Sequence, residues 1–160
     1  MTQRTPDKWY CDSCGGGITD PNMSLMTWRE TDDDRRGYDY RLVHKNSGDG
    51  TCDPGSKRGY RSSLEVSNFL GPDGLSELLS HLSLGPLITS TGESLCRVAD
   101  MDGYVDIIRR LQTPYYEEAR RHYGCEAVQQ DYVGANEALP YTPKSSQHIA
   151  TLCVDCEVGH

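Results

Sequence analysis

Polar and apolar residues alternate from Tyr38 to His44, so Tyr38, Tyr40, Leu42 and His44 fall on one face of a pleat, with Asp39 and Arg41 opposite. This predicts a half-buried strand with His44 at its end, pointing coreward. A preceding strand is expected around residues 25–29, and Asp32-Asp33-Asp34-Arg35-Arg36-Gly37 reads as the exposed hairpin loop between the two. From residue 62 the period changes. Ser62 or Ser63 is placed to cap a short helix carrying Leu64, Val66, Phe69 and Leu70, which Gly71-Pro72 would end. Asp73 then caps a second helix, in which Leu75, Leu78, Leu79 and Leu82 follow the i, i+3, i+4, i+7 spacing of one buried face up to Gly85-Pro86. His81 lies beside that stripe and is expected at the surface or its boundary.

A polar connector over residues 89–93 leads to Leu95-Cys96-Arg97-Val98, an extended segment in which Cys96 is expected as a buried, packing thiol. Asp100 or Asp102 can start a third helix, with Val105, Ile108 and Leu111 inward and Arg109-Arg110 outward. In a fourth, Thr113 is the cap and Pro114 the first helical residue. Glu117 and Glu118 come early, Arg120, Arg121 and His122 late, and Gly124 is the stop, a charge order that suits the helix dipole. Strands followed by helices predict an α+β fold. Residues 1–61 would form a zinc-bound β-hairpin head packed on a small helical domain of residues 62–124, with a C-terminal extension over residues 125–160.

A head this short buries little apolar surface, so its chemistry matters. Cys11-Asp12-Ser13-Cys14 followed by Gly15-Gly16-Gly17 is a C-x2-C turn, which can aim two thiolates at one ion and lets glycine bring backbone close. His44 at the strand end and Cys52 after a glycine-containing loop complete a three-thiolate, one-imidazole set. That set suits a closed structural zinc site, and the metal would supply stability the head lacks. A second set is His122, Cys125, Cys153 and Cys156, arranged as H-x2-C and C-x2-C. His148 and His160 are alternative ligands there, and Cys153 and Cys156 could instead join Cys11 and Cys14. One zinc is expected, or two if the C-terminal set forms its own site.

Seven cysteines could mark a secreted disulfide protein, but the odd count, the paired spacings and the absence of an apolar leader point to the cytoplasm. No apolar run approaches the roughly 20 residues needed to span a bilayer. The net charge of −8 is uneven: residues 1–61 hold ten cations and ten acids, and residues 62–160 hold six and fourteen. Such acidity opposes broad attraction to phosphate backbones. A nucleic-acid role would rest on the local patch of Lys57, Arg58, Tyr60 and Arg61, where Tyr60 could stack on a base. A solvated linker is the plainer reading of that patch.

Leu152-Cys153-Val154-Asp155-Cys156 with His160 resembles the closing half of HNH nucleases. Those enzymes set an Asp-His or His-His pair on a hairpin soon after the first C-x2-C, where this chain has Val43-His44. Over more of its length, the chain resembles small, largely uncharacterised bacterial and phage proteins with a zinc-ribbon-like or treble-clef-like head. The resemblance lies in Tyr10-Cys11, Cys14-Gly15, Ile18, Val43-His44 and Cys52-Asp53-Pro54, with the segments 69–75 and 114–120. It implies a metal-bound fold in bacterial or phage cytoplasm and assigns no catalytic residue. No P-loop, dinucleotide-binding glycine pattern, nucleophile elbow or H-E-x-x-H is present. The expectation is a non-enzymatic, zinc-stabilised adaptor or regulatory protein that binds a macromolecule, foremost a protein. The alternatives are a zinc-containing DNA-binding transcriptional regulator and an HNH-like metal-dependent nuclease.

Overall fold

The computed structural model describes residues 4–45, 52–89 and 96–152. Strands β1 (Trp9–Tyr10) and β2 (Gly17–Ile18) form a small ribbon around the C-x2-C turn. Strands β3 (Ser24–Glu30) and β4 (Gly37–His44) form the expected hairpin, and β5 (Ser62–Glu65) pairs antiparallel with the other edge of β3, giving the order β4-β3-β5. Among the described residues six α-helices follow: α1 (Gly71–Leu82), α2 (Gly85–Thr89), α3 (Met101–Gln112), α4 (Tyr116–Arg120), α5 (Glu126–Asp131) and α6 (Pro143–Leu152). The architecture is thus mixed, with small antiparallel sheets beside helices.

The helix expected from Ser62 or Ser63 to Leu70 is instead β5 followed by a 3-10 turn over Val66–Phe69. An open β3 edge would leave backbone donors and acceptors unpaired, and Leu25 to Trp28 find their partners in Glu65 to Ser62. The alternation along β4 is broken as well. Asp39 adopts a positive φ of 52° and bulges, so that the register jumps from Thr27 opposite Arg41 to Arg29 opposite Tyr38. An extra residue shifts the phase of the pleat. Tyr40 and Leu42 therefore enter the core, while Tyr38 stays half-buried in a hollow beside Arg29 and Arg58. Gly37 is required by the same packing, since a Cβ there would lie 2.2 Å from the Tyr40 hydroxyl oxygen.

Both long helices are rotated from their expected faces. In α1 Leu78 is fully buried but Leu75 and Leu79 are exposed, and in α3 the buried face carries Tyr104, Ile107, Arg110 and Leu111, with Val105 and Ile108 only half-buried. The fourth helix begins at Tyr116 rather than Pro114. Tyr115 takes a left-handed φ of 64°, which no helix continues through, so Thr113 and Pro114 form the turn before it. Cys96 is exposed, its thiol directed at the Val98 carbonyl. One apolar core joins Trp9, Ile18, Met26 and Leu42 to Phe69, Leu78, Ile107 and Leu111, and a smaller cluster packs Ala119, Val128 and Ile149 of α4 to α6. No helix of the described residues is long and apolar enough to cross a membrane.

His81 is buried, not at the surface. Its ring stacks on Tyr104 at 5.8 Å and meets Trp28 and Phe69 edge-on. Burial depresses its pKa below 6.5; Glu77 opposes that shift and Arg97 adds to it. The folded state therefore holds it neutral while the unfolded chain protonates first, so stability falls as pH drops from 6.5 through the lowered folded value. His81→Phe should flatten this dependence. Urea midpoints taken between pH 7.5 and 5 should show the variant losing less stability than the parent, by up to about 1.4 kcal/mol per pH unit inside that window. Parallel pH curves would refute the assignment.

Candidate metal centre

The C-x2-C turn closes on itself through two backbone hydrogen bonds. The Gly15 amide donates to the Cys11 carbonyl and the Cys11 amide to the Gly16 carbonyl, each at 2.8 Å, with Gly15 at a φ of 74°. This conformation lifts both sulfurs to one side. Strand β4 ends against the turn, because the Asp12 amide donates to the Leu42 carbonyl (2.8 Å) and the Asp12 carboxylate accepts the Leu42 amide (2.7 Å). Two residues beyond Leu42, His44 faces the cysteines. Cys52 is held by its carbonyl, which accepts from Ser13 Oγ at 2.6 Å.

The ligand atoms of Cys11, Cys14, His44 and Cys52 all lie within 4.8 Å of one another, and Cys14 Sγ is 3.5 Å from His44 Nδ1. A tetrahedral site with three thiolates and one imidazole needs about 3.5 to 3.8 Å between donor atoms. The set is thus close to the size of one ion's coordination shell. Cys11 and Cys52 are buried, Cys14 is exposed and His44 lies between. His44 Nε2 is 3.1 Å from the Gly17 carbonyl oxygen. A proton held there leaves Nδ1 free to ligate, as the outer partner of a metal-bound histidine should. Burial pushes the Cys11 thiol up, but N–H groups of Cys14, His44 and Ser13 more than offset this and bring it down to about 7, near thiolate formation at neutral pH. Gly16 belongs to the same cradle, since a Cβ there would press on Cys14 Sγ at 3.3 Å.

What seats this turn in the protein is a buried ion network absent from the sequence-based expectation. Arg110 was expected to face outward, yet its side chain is 2% exposed. It forks onto both oxygens of Glu117, each at 2.8 Å, donates to Asp12 Oδ2 at 2.8 Å, and reaches the Tyr10 carbonyl at 3.0 Å. Glu117 also accepts the Tyr10 amide, and Trp9 Nε1 donates to the Arg110 carbonyl. Burial opposes the guanidinium charge, but Glu117 and Asp12 outweigh it and hold Arg110 above the ordinary arginine range. Asp12, the first of the two residues between the cysteines, is therefore clamped to α3 and, through Arg110, to Glu117 of α4. The spacing of Arg110 and Glu117 across the Thr113-Pro114 turn, and an acid placed inside the C-x2-C, were the available signals.

The second predicted set is not brought together among the described residues. Cys153 and Cys156 lie outside them, as does His160. His122 follows α4, and Cys125 precedes α5 beside the Ala119, Val128 and Ile149 cluster. Among the described residues, the N-terminal group is where His, Cys, Asp or Glu side chains gather three or more donors. Because His44 and Cys52 supply two ligands with Cys11 and Cys14, four donors are present without the C-terminal pair.

In the basic patch, Lys57, Arg58 and Arg61 are exposed but Tyr60 is not. Its hydroxyl donates to Asp39 Oδ2, and Arg29 and Arg41 lie over its ring at 4.9 and 5.3 Å. Those contacts occupy the surface that base stacking would require. Comparison with protein-family models, curated proteins and solved structures finds no match.

Proposed function

We propose that the chain is a non-enzymatic, zinc-stabilised adaptor or regulatory module that binds a protein partner. The observation that carries the reading is the four-donor group of Cys11, Cys14, His44 and Cys52, whose ligand atoms lie within 4.8 Å of one another; a tetrahedral ion held by all four would have no position left for a substrate. Three thiolates and one imidazole favour zinc over oxygen-preferring cations. When bound, zinc would tie the β1–β2 turn, the end of β4 and the Cys52 loop into one rigid body. The same geometry weighs against an HNH-like nuclease. One His44 nitrogen faces Cys14 and the other the Gly17 carbonyl, so neither is placed to accept a proton from water. A protein partner fits the acidic excess after residue 61 and the exposed Leu75 and Leu79, one turn apart on α1.

Purified protein should carry at least one zinc per chain, and cobalt replacement should give the absorption of tetrahedral thiolate ligation. Strong chelation should lower the melting temperature by more than about 10 °C. A metal-free preparation that melts unchanged would sink the zinc reading. Capture of a defined protein by the folded chain would support the adaptor role. Divalent-metal-dependent nicking of DNA that disappears in a folded His44→Ala chain would replace it with the nuclease.

A further inference from the structure

At the end of the β3–β4 hairpin away from His44, three adjoining hollows share Glu30, Arg35 and Arg61. Together they are lined by six arginines: Arg29, Arg35, Arg36, Arg58, Arg61 and Arg97. They come from β3, the hairpin loop, the segment before β5 and the segment after α2, so the fold gathers charge that the sequence disperses. Several of these cations are already matched. Arg29 faces Asp39 at 3.7 Å, Arg35 faces Glu30 at 3.5 Å and Arg36 faces Asp34 at 2.5 Å. Arg58, Arg61 and Arg97 are exposed and form no ion pair among the described residues. Glu30 is further engaged by Ser62 Oγ at 2.7 Å. Four acids, Glu30, Asp32, Asp34 and Glu77, line the same hollows, so the six arginines leave the groove with a surplus of two positive charges in a chain of net charge −8.

We propose that this groove binds an acidic peptide segment of a protein partner, with Arg58, Arg61 and Arg97 each taking oxyanions of its side chains. Guanidinium forks pair with the planar carboxylate or the phosphate group more specifically than ammonium groups do, and clustered arginines are a recurrent means of reading such motifs. A peptide fits better than a nucleic acid for two reasons. The aromatic group that could have stacked on a base, Tyr60, is buried, with the guanidinium groups of Arg29 and Arg41 over its ring. A long phosphate backbone would also run from this local groove into the acidic remainder of the molecule, whereas a short segment engages only the groove. The proposal rests on reading the chain as a binding module and specifies which surface does the binding and what it recognises.

The test is fluorescence anisotropy of three labelled probes at about 20 mM salt, where surface electrostatics are weakly screened. The probes are a short Asp/Glu-rich peptide, a serine-rich peptide carrying phosphoserines, and oligothymidylate. At least one peptide should bind, more tightly than the oligonucleotide. Binding by both assigns carboxylate and phosphate as equivalent ligands, and binding by the phosphopeptide alone assigns phosphate. The combined Arg61→Ala and Arg97→Ala variant should weaken peptide binding by about tenfold or more, and Arg58→Ala by less, while Lys144→Ala leaves it unchanged. Tighter binding to oligothymidylate, no peptide binding, or unaltered binding by the arginine variants would each overturn the proposal. Metal content measured on the same samples separates the two readings: a chain with full zinc and no peptide affinity refutes the groove alone, and a zinc-free chain refutes the metal reading whatever the groove binds.

Discussion

Replacing Cys11 with serine will cost the chain its stable fold at neutral pH. Structural zinc in small domains contributes apparent binding energies of about 10–16 kcal/mol, as much as or more than the about 5–15 kcal/mol that holds a typical domain together. Serine keeps the shape at a slightly smaller volume and loses the thiolate ligand. The thiol is also part of the apolar core that includes Trp9 and Ile18, so a disturbed turn is felt beyond the ion. Circular dichroism, melting and metal content should fall together, and chelated parent protein should match the variant. Cys96→Ser is the control, because that thiol is exposed and far from the metal group in sequence. A Cys11→Ser chain that retains its metal and its melting temperature would show that the cysteines do not hold a structural ion.

Arg110→Met should destabilise the protein by about 3–5 kcal/mol, the usual consequence of removing one member of a buried ion pair. The loss has three parts. Glu117 would remain buried with its charge unmatched, the Tyr10 carbonyl would lose a donor, and Asp12 would lose the contact that fixes the cysteine turn. Arg110→Lys should recover only part of the loss, since a single ammonium cannot reproduce a fork onto two Glu117 oxygens plus Asp12. Adding Glu117→Gln to Arg110→Met should restore stability relative to Arg110→Met alone. Urea titration reads these differences, and competition with a chromophoric chelator should show weaker metal binding in Arg110→Met. Equal chelator competition by parent and variant would mean that the network stabilises the body without tuning the centre.

The cysteine spacings made the gathering of Cys11, Cys14, His44 and Cys52 legible because a C-x2-C turn is a local geometry, and the alternation after Gly37 made the hairpin legible because its period is local too. Asp100 could likewise be read as a cap, and its carboxylate accepts the Gly103 amide at 3.0 Å. What escaped was non-local. Arg110 beside Arg109 at the end of a helix looks like a solvated pair, and its burial becomes tolerable through Glu117 of the next helix together with Asp12, 98 residues away. Ser62 and Ser63 resemble helix caps until β3 is seen to need a partner for its second edge. Tyr60 resembles a stacking platform until the Asp39 bulge brings a carboxylate to its hydroxyl. In each case, a residue's local preference was overridden by a partner supplied from elsewhere in the chain.

The placement of the two tryptophans gives the protein a built-in means of separating its two ends. Trp9 is buried two residues before Cys11 with its indole on the Arg110 carbonyl, whereas Trp28 lies half-buried in a hollow with Arg97 and against His81. In a Trp28→Phe chain, emission would report the cysteine turn. In a Trp9→Phe chain, it would report the arginine groove. Release of an ion from the cysteine group and arrival of a peptide in the groove, as proposed, would then be resolved as two optical events in one small molecule, without an attached dye.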